Sequence, residues 1–216
     1  SYYLLKRRDI GFARRSFAIA SAFGLASILS VIVLGDESGY EIGDVQKTKL
    51  AAIEAEWDTH EAPAAFTLFG LPDQQAMRTD YAIRIPYALG LIATRSLDGE
   101  VTGIKDLLIQ HEARIRNGMQ AYALLQQLRS GDRSPATLQA FDAVKADLGY
   151  RVLLQKYTEQ VVDATPEQIA QASLDTIPDV ASLFWTFRIM VGCGVLMLAL
   201  FIFAFWASAK RNEEHK

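Results

Sequence analysis

The amino-acid sequence predicts an all-α membrane protein, in which two transmembrane helices, part of a larger helical bundle, are joined by a long and mainly helical loop. Half of the 216 residues are hydrophobic and the mean hydropathy is +0.10, at the apolar end of the soluble range. Charged residues are concentrated outside two long apolar stretches. Period-two alternation, which marks a half-buried strand, is nearly absent, so little sheet is expected.

Each apolar stretch is long enough to cross a membrane. Residues 16–35 contain no charge, and residues 183–209 contain one, Arg188. A helix rises 1.5 Å per residue, so about 20 residues span a hydrocarbon core of ~30 Å. The first stretch is too long for the apolar region of a signal peptide and lacks a small-residue cleavage pattern after it.

The flanking charges predict the orientation. Five basic residues precede the first stretch, whereas residues 36–182 carry 22 acidic and 13 basic side chains. The positive-inside rule places both ends in the cytoplasm and residues 36–182 outside, in the periplasm of a bacterium. Residues 1–15 are then the end of a preceding helix, with aromatic residues at the interface, and a short cytoplasmic loop. An ordinary amphipathic start is the alternative for that end, and residues 210–216 are a cytoplasmic tail.

Helical patterns fill the segment between the two stretches. Asp44 is a suitable N-cap for a helix that continues to Trp57. Apolar residues recur every three to four positions from Ile104 to Leu128. Shorter helices are expected at residues 136–148 and 166–173, the latter with Thr165 as cap and proline at its first position.

Several function classes find no support in the sequence. The net charge of −3 provides no basic footprint for nucleic acid. The three histidines, His60, His111 and His215, have no ligand partner at helical spacing, so a histidine-based metal site is not expected. Cys193 is the single cysteine and cannot form an internal disulfide.

Two residues in the second apolar stretch are candidates for a cofactor site. Arg188 lies about two turns inside the stretch, where a charge usually faces a protein interior or a polar cofactor group. Snorkelling to the interface is the simpler explanation. Met190 carries a thioether, which is a possible axial ligand of haem iron, although most methionines in such a helix only pack.

Two charged residues after the first stretch are candidates for a quinol site. Lys49 and Glu54 lie about 140° apart on a helix, on either side of apolar Leu50, Ile53 and Trp57. A donor could orient one quinol oxygen while a carboxylate takes a proton. A solvated helix with ordinary charges is the simpler explanation of the spacing.

The sequence resembles subunit I of the cytochrome bd ubiquinol oxidases, which are bacterial terminal oxidases. The resemblance extends over essentially the whole chain. The matching stretches are RSFAIASAFGLASILSVIVLGDESGYEIGDVQKTKLAAIEAEW (15–57), APAAFTLFG (62–70), IPYALGLIATRS (85–96), IRNGMQAYALLQQLRSG (115–131) and FRIMVGCG (187–194).

The resemblance implies a site for each candidate residue. Residues 16–35 correspond to the sixth helix of that subunit, residues 36–182 to a long periplasmic quinol-binding Q-loop, and residues 183–209 to the seventh helix. Lys49 and Glu54 are then tied to quinol oxidation, with Asp36 and Gln46 as further quinol-binding residues. Met190 becomes an axial ligand of the low-spin haem b, with Arg188 near that haem.

The resemblance also implies what lies outside this chain. The second ligand of the low-spin haem b, and the ligands of the high-spin haem b and haem d, are expected in other helices of subunit I. The expected partners are the remainder of subunit I, subunit II, small single-helix subunits, ubiquinol and the bilayer of the bacterial inner membrane. The chain is therefore expected to be a fragment, a part of a longer subunit or one piece of a split subunit, and to be inactive alone.

Two other functions remain open from the sequence. The first is a non-enzymatic two-helix membrane sensor or assembly protein with a periplasmic helical domain. The second is an oxidase chain of structural role, with quinol bound elsewhere.

Overall fold

The computed structural model describes residues 6, 8–59, 65–87, 89, 95 and 100–211. These form two compact units, one of Ser1–Glu41 with Trp185–Lys216 and one of Ile42–Phe184. The sequence-based expectations for residues 2–5, His60 and His215 lie outside the described residues. The helices are α1 (Ile10–Val45), α2 (Lys47–Glu54), α3 (Ile104–Arg129), α4 (Pro135–Val144), α5 (Pro166–Leu174) and α6 (Val180–Arg211); 3-10 helices cover Lys145–Lys156 and Val161–Asp163, and two strands are β1 (Phe66–Asp73) and β2 (Arg78–Ile85).

The two long helices α1 and α6 are apolar enough to cross a membrane. The qualifying segments are Ile10–Gly43 and Val180–Lys210, with mean hydropathies of 2.4 and 2.5 in their most apolar windows. Only 11% and 0% of those windows is buried, so the described chain does not use either helix as a soluble core. The predicted all-α membrane fold is confirmed.

Gly24 is the place where α1 and α6 approach closely. A Cβ atom built on Gly24 would overlap Cε1 of Phe201. Such close approach at small residues is how helices pack in lipid, where burial from water contributes nothing between them.

The prediction that Asp44 caps a new helix is wrong. Helix α1 runs through Asp36 and the flanking glycines to Val45, 36 residues or about 54 Å, so Asp44 lies inside it. The break falls at Gln46, whose φ of −129° and ψ of 59° are not helical. Helix α2 then begins at Lys47 without a side-chain cap and ends at Glu54 rather than at Trp57.

The helices of the second unit agree with the sequence, with one change. Helix α3 covers the predicted range, and Thr165 forms a complete capping box with Gln168. The predicted helix at 136–148 is instead α4 followed by a 3-10 helix from Lys145. Their buried core consists of Ile115, Leu154, Val161, Ile169 and Ala172.

The short hairpin is the one sheet in the described chain. Strands β1 and β2 pair antiparallel with two irregularities in register. The turn between them is held by the Asp73 carboxylate, which accepts from the backbone N–H groups of Gln75 and Ala76. The irregular register explains why the sequence shows no clean alternation here.

Candidate functional site

Helix α2 presents one side to the protein interior and the other to a cavity. Ala51 and Ala52 are fully buried, whereas Gln46 and Lys49 are exposed. An eight-residue helix is only about 12 Å long, so its buried and cavity-facing side chains lie close together.

A cavity of about 470 Å³ lies against the beginning of α2. Two predicted quinol-site residues, Gln46 and Lys49, therefore lie in one wall. The described lining consists of Gln46, Thr48, Lys49, Thr176, Pro178 and Leu183.

The hairpin turn holds the part of the cavity wall that contains Pro178. The side-chain carbonyl of Gln74 accepts from the backbone N–H of Val180 at 3.0 Å, and its amide donates to the carbonyl of Pro178 at 3.4 Å. The turn thus fixes the backbone at the start of α6, and the cavity wall with it.

Glu54 lies on the interior side of α2. It is 4% exposed and is not among the described residues that line the cavity. The spacing along the helix predicted that Lys49 and Glu54 act together on one bound quinol. The structure keeps both on α2 but places the lysine in the cavity wall and the carboxyl in the interior.

A second buried carboxyl, Glu56, follows a strained turn. Ala55 adopts a left-handed conformation with φ of 51°, and the N–H of Glu56 donates to the carbonyl of Ala51. This turn directs Glu56 inward, where it is 3% exposed. Burial raises the pKa of Glu56 to about 7; Arg84 opposes the shift, and the negative charges of Glu54 and Asp58 add to it.

The segment after this turn is anchored at several points. The indole N–H of the buried Trp57 donates to the hydroxyl of Thr79 at 2.9 Å. The carbonyls of Glu56 and Trp57 accept from the first N–H groups of α3, at 2.9 and 3.0 Å. These bonds satisfy orphan donors of α3 and hold the acidic turn in place.

His111 on α3 connects two threonines of the cavity wall. Its Nδ1 atom lies 2.6 Å from Oγ1 of Thr176, and its Nε2 atom lies 3.4 Å from Oγ1 of Thr48. Sequence reasoning missed His111 because these partners are 65 and 63 residues away in the chain. Sequence reasoning also missed Glu56, because the sequence around it shows an acidic residue but does not show that the residue is buried.

The other three predicted site residues lie on the long helices. Asp36 is exposed on α1, and Arg188 is partly buried on α6. Met190 is 61% exposed, so its thioether is accessible to a group supplied from outside the described chain. This exposure, on an apolar helix, fits one axial haem ligand whose partner comes from another helix. The described residues contain no cluster of three or more His, Cys, Asp or Glu side chains suited to a metal.

The fold and site together define a helical membrane protein with a second, mainly helical unit between its two apolar helices. Comparison with known families makes this specific, since a family model described as cytochrome bd terminal oxidase subunit I matches residues 1–214. The chain belongs to that family. Family membership confirms the resemblance seen in the sequence, sets aside the sensor alternative and implies haem cofactors.

Individual relatives agree with the assignment. Subunit 1 of the cytochrome bd-II ubiquinol oxidase of Escherichia coli is 44% identical over 204 residues, covering 94% of this chain and 40% of the relative. Subunit 1 of the cytochrome bd ubiquinol oxidase of Bacillus subtilis is 25% identical over 215 residues, covering 100% of this chain and 34% of the relative. The chain thus spans well under half the length of these relatives.

A solved structure of bd oxidase from Geobacillus thermodenitrificans aligns with 98% of this chain and 52% of its own, at 18% identity and a TM-score of 0.44. The family assignment rests on the sequence comparisons alone.

Proposed function

We propose that this chain is part of the catalytic subunit of a bacterial cytochrome bd oxidase, which oxidises ubiquinol in the segment 36–182. The electrons pass to a low-spin haem b, then to the oxygen-reducing haems, and the reaction contributes to a proton gradient. One observation carries this proposal: the cavity at α2 contains Lys49 and Gln46 in its wall, and α2 also holds the buried Glu54.

The cavity has the chemistry that a quinol head group requires. Its volume of about 470 Å³ lies within the usual range of small-molecule sites. Pro178 and Leu183 offer apolar contact to a ring, and the Lys49 ammonium offers a donor to one ring oxygen. Lys49 and Gln46 orient the head group, and Asp36 is a further quinol-binding residue.

Glu54 is the proton acceptor in this proposal. Glu54 acts electrostatically on the buried carboxyl of Glu56, whose pKa burial raises to about 7. The acidic turn that follows α2 can therefore hold a proton near neutral pH, as a general base must.

The residues proposed to hold the low-spin haem b, which receives the electrons, lie on α6. Met190 would provide one axial ligand of the low-spin haem b, and the haem supplies one-electron transfer when bound. Arg188 provides a fixed cation that stabilises an added electron nearby. Ligands for the second low-spin position, the high-spin haem b and haem d come from the remainder of subunit I.

The topology follows the charge distribution. Residues 16–35 and 183–209 cross the bacterial inner membrane, residues 36–182 are periplasmic, and both flanks are cytoplasmic. The partners are ubiquinol, subunit II, small single-helix subunits, the remainder of subunit I and the lipid bilayer, and activity belongs to that complete complex.

Replacing Lys49 by Met in the complete complex tests the proposal. The cation that orients quinol is lost, so we expect the oxidation rate of a short-chain ubiquinol to fall by at least about tenfold, since a charged hydrogen bond contributes about 1.5–3 kcal/mol. Replacing Glu54 by Ala should also slow the reaction and leave the haem content intact. Lys47→Met removes a neighbouring exposed lysine outside the described cavity lining and serves as the matched control.

The reduced-minus-oxidised spectrum separates these effects from misassembly. Unchanged quinol oxidation in Lys49→Met, or a loss equal to that in Lys47→Met, would contradict the proposed site. Loss of haem in Glu54→Ala would count against its role as a proton acceptor.

A further inference from the structure

The strongest unassigned feature is the histidine behind the cavity wall. His111 is in contact with Thr48 and Thr176, which both line the cavity. The ring is partly buried and lies 6.3 Å from the ring of Tyr150, centroid to centroid. The function proposed above makes no use of His111.

The hydrogen bonds determine which nitrogen carries the proton. The hydroxyl of Thr176 donates to the carbonyl of Ser173 at 2.6 Å. A hydroxyl has one proton, so Thr176 must accept from His111, and Nδ1 is the protonated nitrogen. Nε2 then carries a lone pair in the neutral ring, and the Thr48 hydroxyl donates to it at 3.4 Å. Such contacts are often long without ligand and tighten in the complex.

The surroundings keep this ring neutral. Burial lowers the pKa of His111 below its usual value, and the positive charge of Arg114 lowers it further. Arg114 itself lies against the Asp147 carboxylate, 2.8 Å away, and over the ring of Tyr150. The imidazole is therefore available as a base at neutral pH.

Charged groups also lie on the other elements beside His111. On α2, Lys49 follows Thr48 in the cavity wall. After α5, Asp175 precedes Thr176, and its carboxylate is held by Lys156 and Tyr157.

We propose that His111 accepts one of the two quinol protons through the hydroxyl of Thr48. This inference rests on the proposed function and deepens it. A quinol releases two hydroxyl protons, and Glu54 accounts for only one of them. Thr48 is the ligand-facing group, and His111 acts through it.

The proton transfer balances. The quinol O–H bond breaks as its proton binds Oγ1 of Thr48, and the original Thr48 proton forms a new N–H bond at Nε2. The electrons leave to the haem acceptor of the proposed function. After the quinone departs, the imidazolium returns its proton through Thr48 to water, which restores the starting tautomer.

The test is the pH dependence of ubiquinol oxidation by the complete complex. Four variants are compared: His111→Gln, Thr48→Val, Thr48→Ser and the control Thr158→Val. The control removes a threonine hydroxyl that is bonded only within its own turn in the described contacts. A short-chain ubiquinol is the probe, and kcat and KM are measured from about pH 5 to about pH 9.

We expect a fall in kcat of about 100-fold in His111→Gln and Thr48→Val, the usual contribution of a positioned base. Thr48→Ser keeps the hydroxyl and should retain most of the rate. In the wild type, kcat declines as pH falls through the pKa of His111, because imidazolium cannot accept a proton. That decline should be absent in His111→Gln, while the haem spectrum stays unchanged.

Three results would overturn the proposed proton transfer from quinol through Thr48 to His111, called the relay below. One is a kcat within about twofold of wild type in Thr48→Val. Another is a loss in His111→Gln with the acid-side decline preserved, which indicates a structural role. The third is a Thr48→Ser variant as slow as Thr48→Val. Lys49→Met separates the two proposals: if it is inactive while His111→Gln is not, the relay alone fails, and if Lys49→Met is fully active, the site itself fails.

Discussion

The buried carboxyl of Glu56 makes the stability of the acidic turn depend on pH. Folding raises the pKa of this group from 4.5 to about 7. Each pKa unit corresponds to 1.36 kcal/mol, so keeping Glu56 ionised in the fold costs about 3 kcal/mol. Between these two pKa values the folded state binds more protons than the unfolded state. Stability therefore falls as pH rises from about 4.5 to about 7, and the full cost applies above that window.

Replacing Glu56 by Gln should remove this cost. We expect the free energy of local opening around 51–57 to increase by up to about 3 kcal/mol above pH 7, and to change little well below pH 4.5, where the carboxyl is protonated in both states. The assay is hydrogen exchange of the backbone amides of α2 and the following turn in the purified complex, corrected for intrinsic rates.

A matched control removes a surface carboxylate instead. Glu112 forms an exposed ion pair with Arg116 on α3, and such pairs contribute about 0–1 kcal/mol. Glu112→Gln should therefore leave the pH dependence of α2 opening unchanged. If Glu56→Gln shifts the opening free energy equally at both ends of the pH window, burial is not the cause of the shift and the reasoning is refuted.

Three further predictions concern the haem ligand, the helix contact and the strained turn. Met190→Ala should remove the low-spin haem b bands from the reduced-minus-oxidised spectrum and spare the haem d band; retention of all bands would place the ligand elsewhere. Gly24→Leu should lower the stability of the complex by about 1–3 kcal/mol in a thermal melt, because the added atoms overlap the Phe201 ring, and Phe201→Ala should restore part of the loss. Ala55→Gly should raise the stability of the turn by about 1 kcal/mol, since glycine adopts positive φ without a Cβ penalty, and slower amide exchange at Glu56 would show it.

Local patterns were sufficient for most of the helices. The run from Ile104 to Leu128 has the helical period, and its observed end differs by one residue. Thr165 with Pro166 predicted the start of α5 because capping depends on neighbours within four residues. Asp44 failed as a cap because helix α1 continued through it, which extends an existing ladder without the cost of a new nucleus.

The hairpin and the cavity could not be predicted from local patterns, because both depend on residues far apart in the chain. Strand β1 pairs with β2 through an irregular register, so neither strand shows a clear local alternation. The cavity wall combines α2 with residues near the start of α6, more than 120 positions later. No spacing along α2 could indicate that Thr48 and Thr176 meet at one histidine.

The sequence by itself determined the membrane class, the two apolar helices and the family, because length, hydropathy and long matching motifs are properties of contiguous residues. It also placed Lys49 and Glu54 on one short helix. Only the tertiary structure decided that Lys49 lies in the cavity wall while Glu54 and Glu56 are buried, and that His111 joins Thr48 to Thr176. Burial and long-range hydrogen bonds depend on what packs against a side chain, and that partner is not written in the residues beside it.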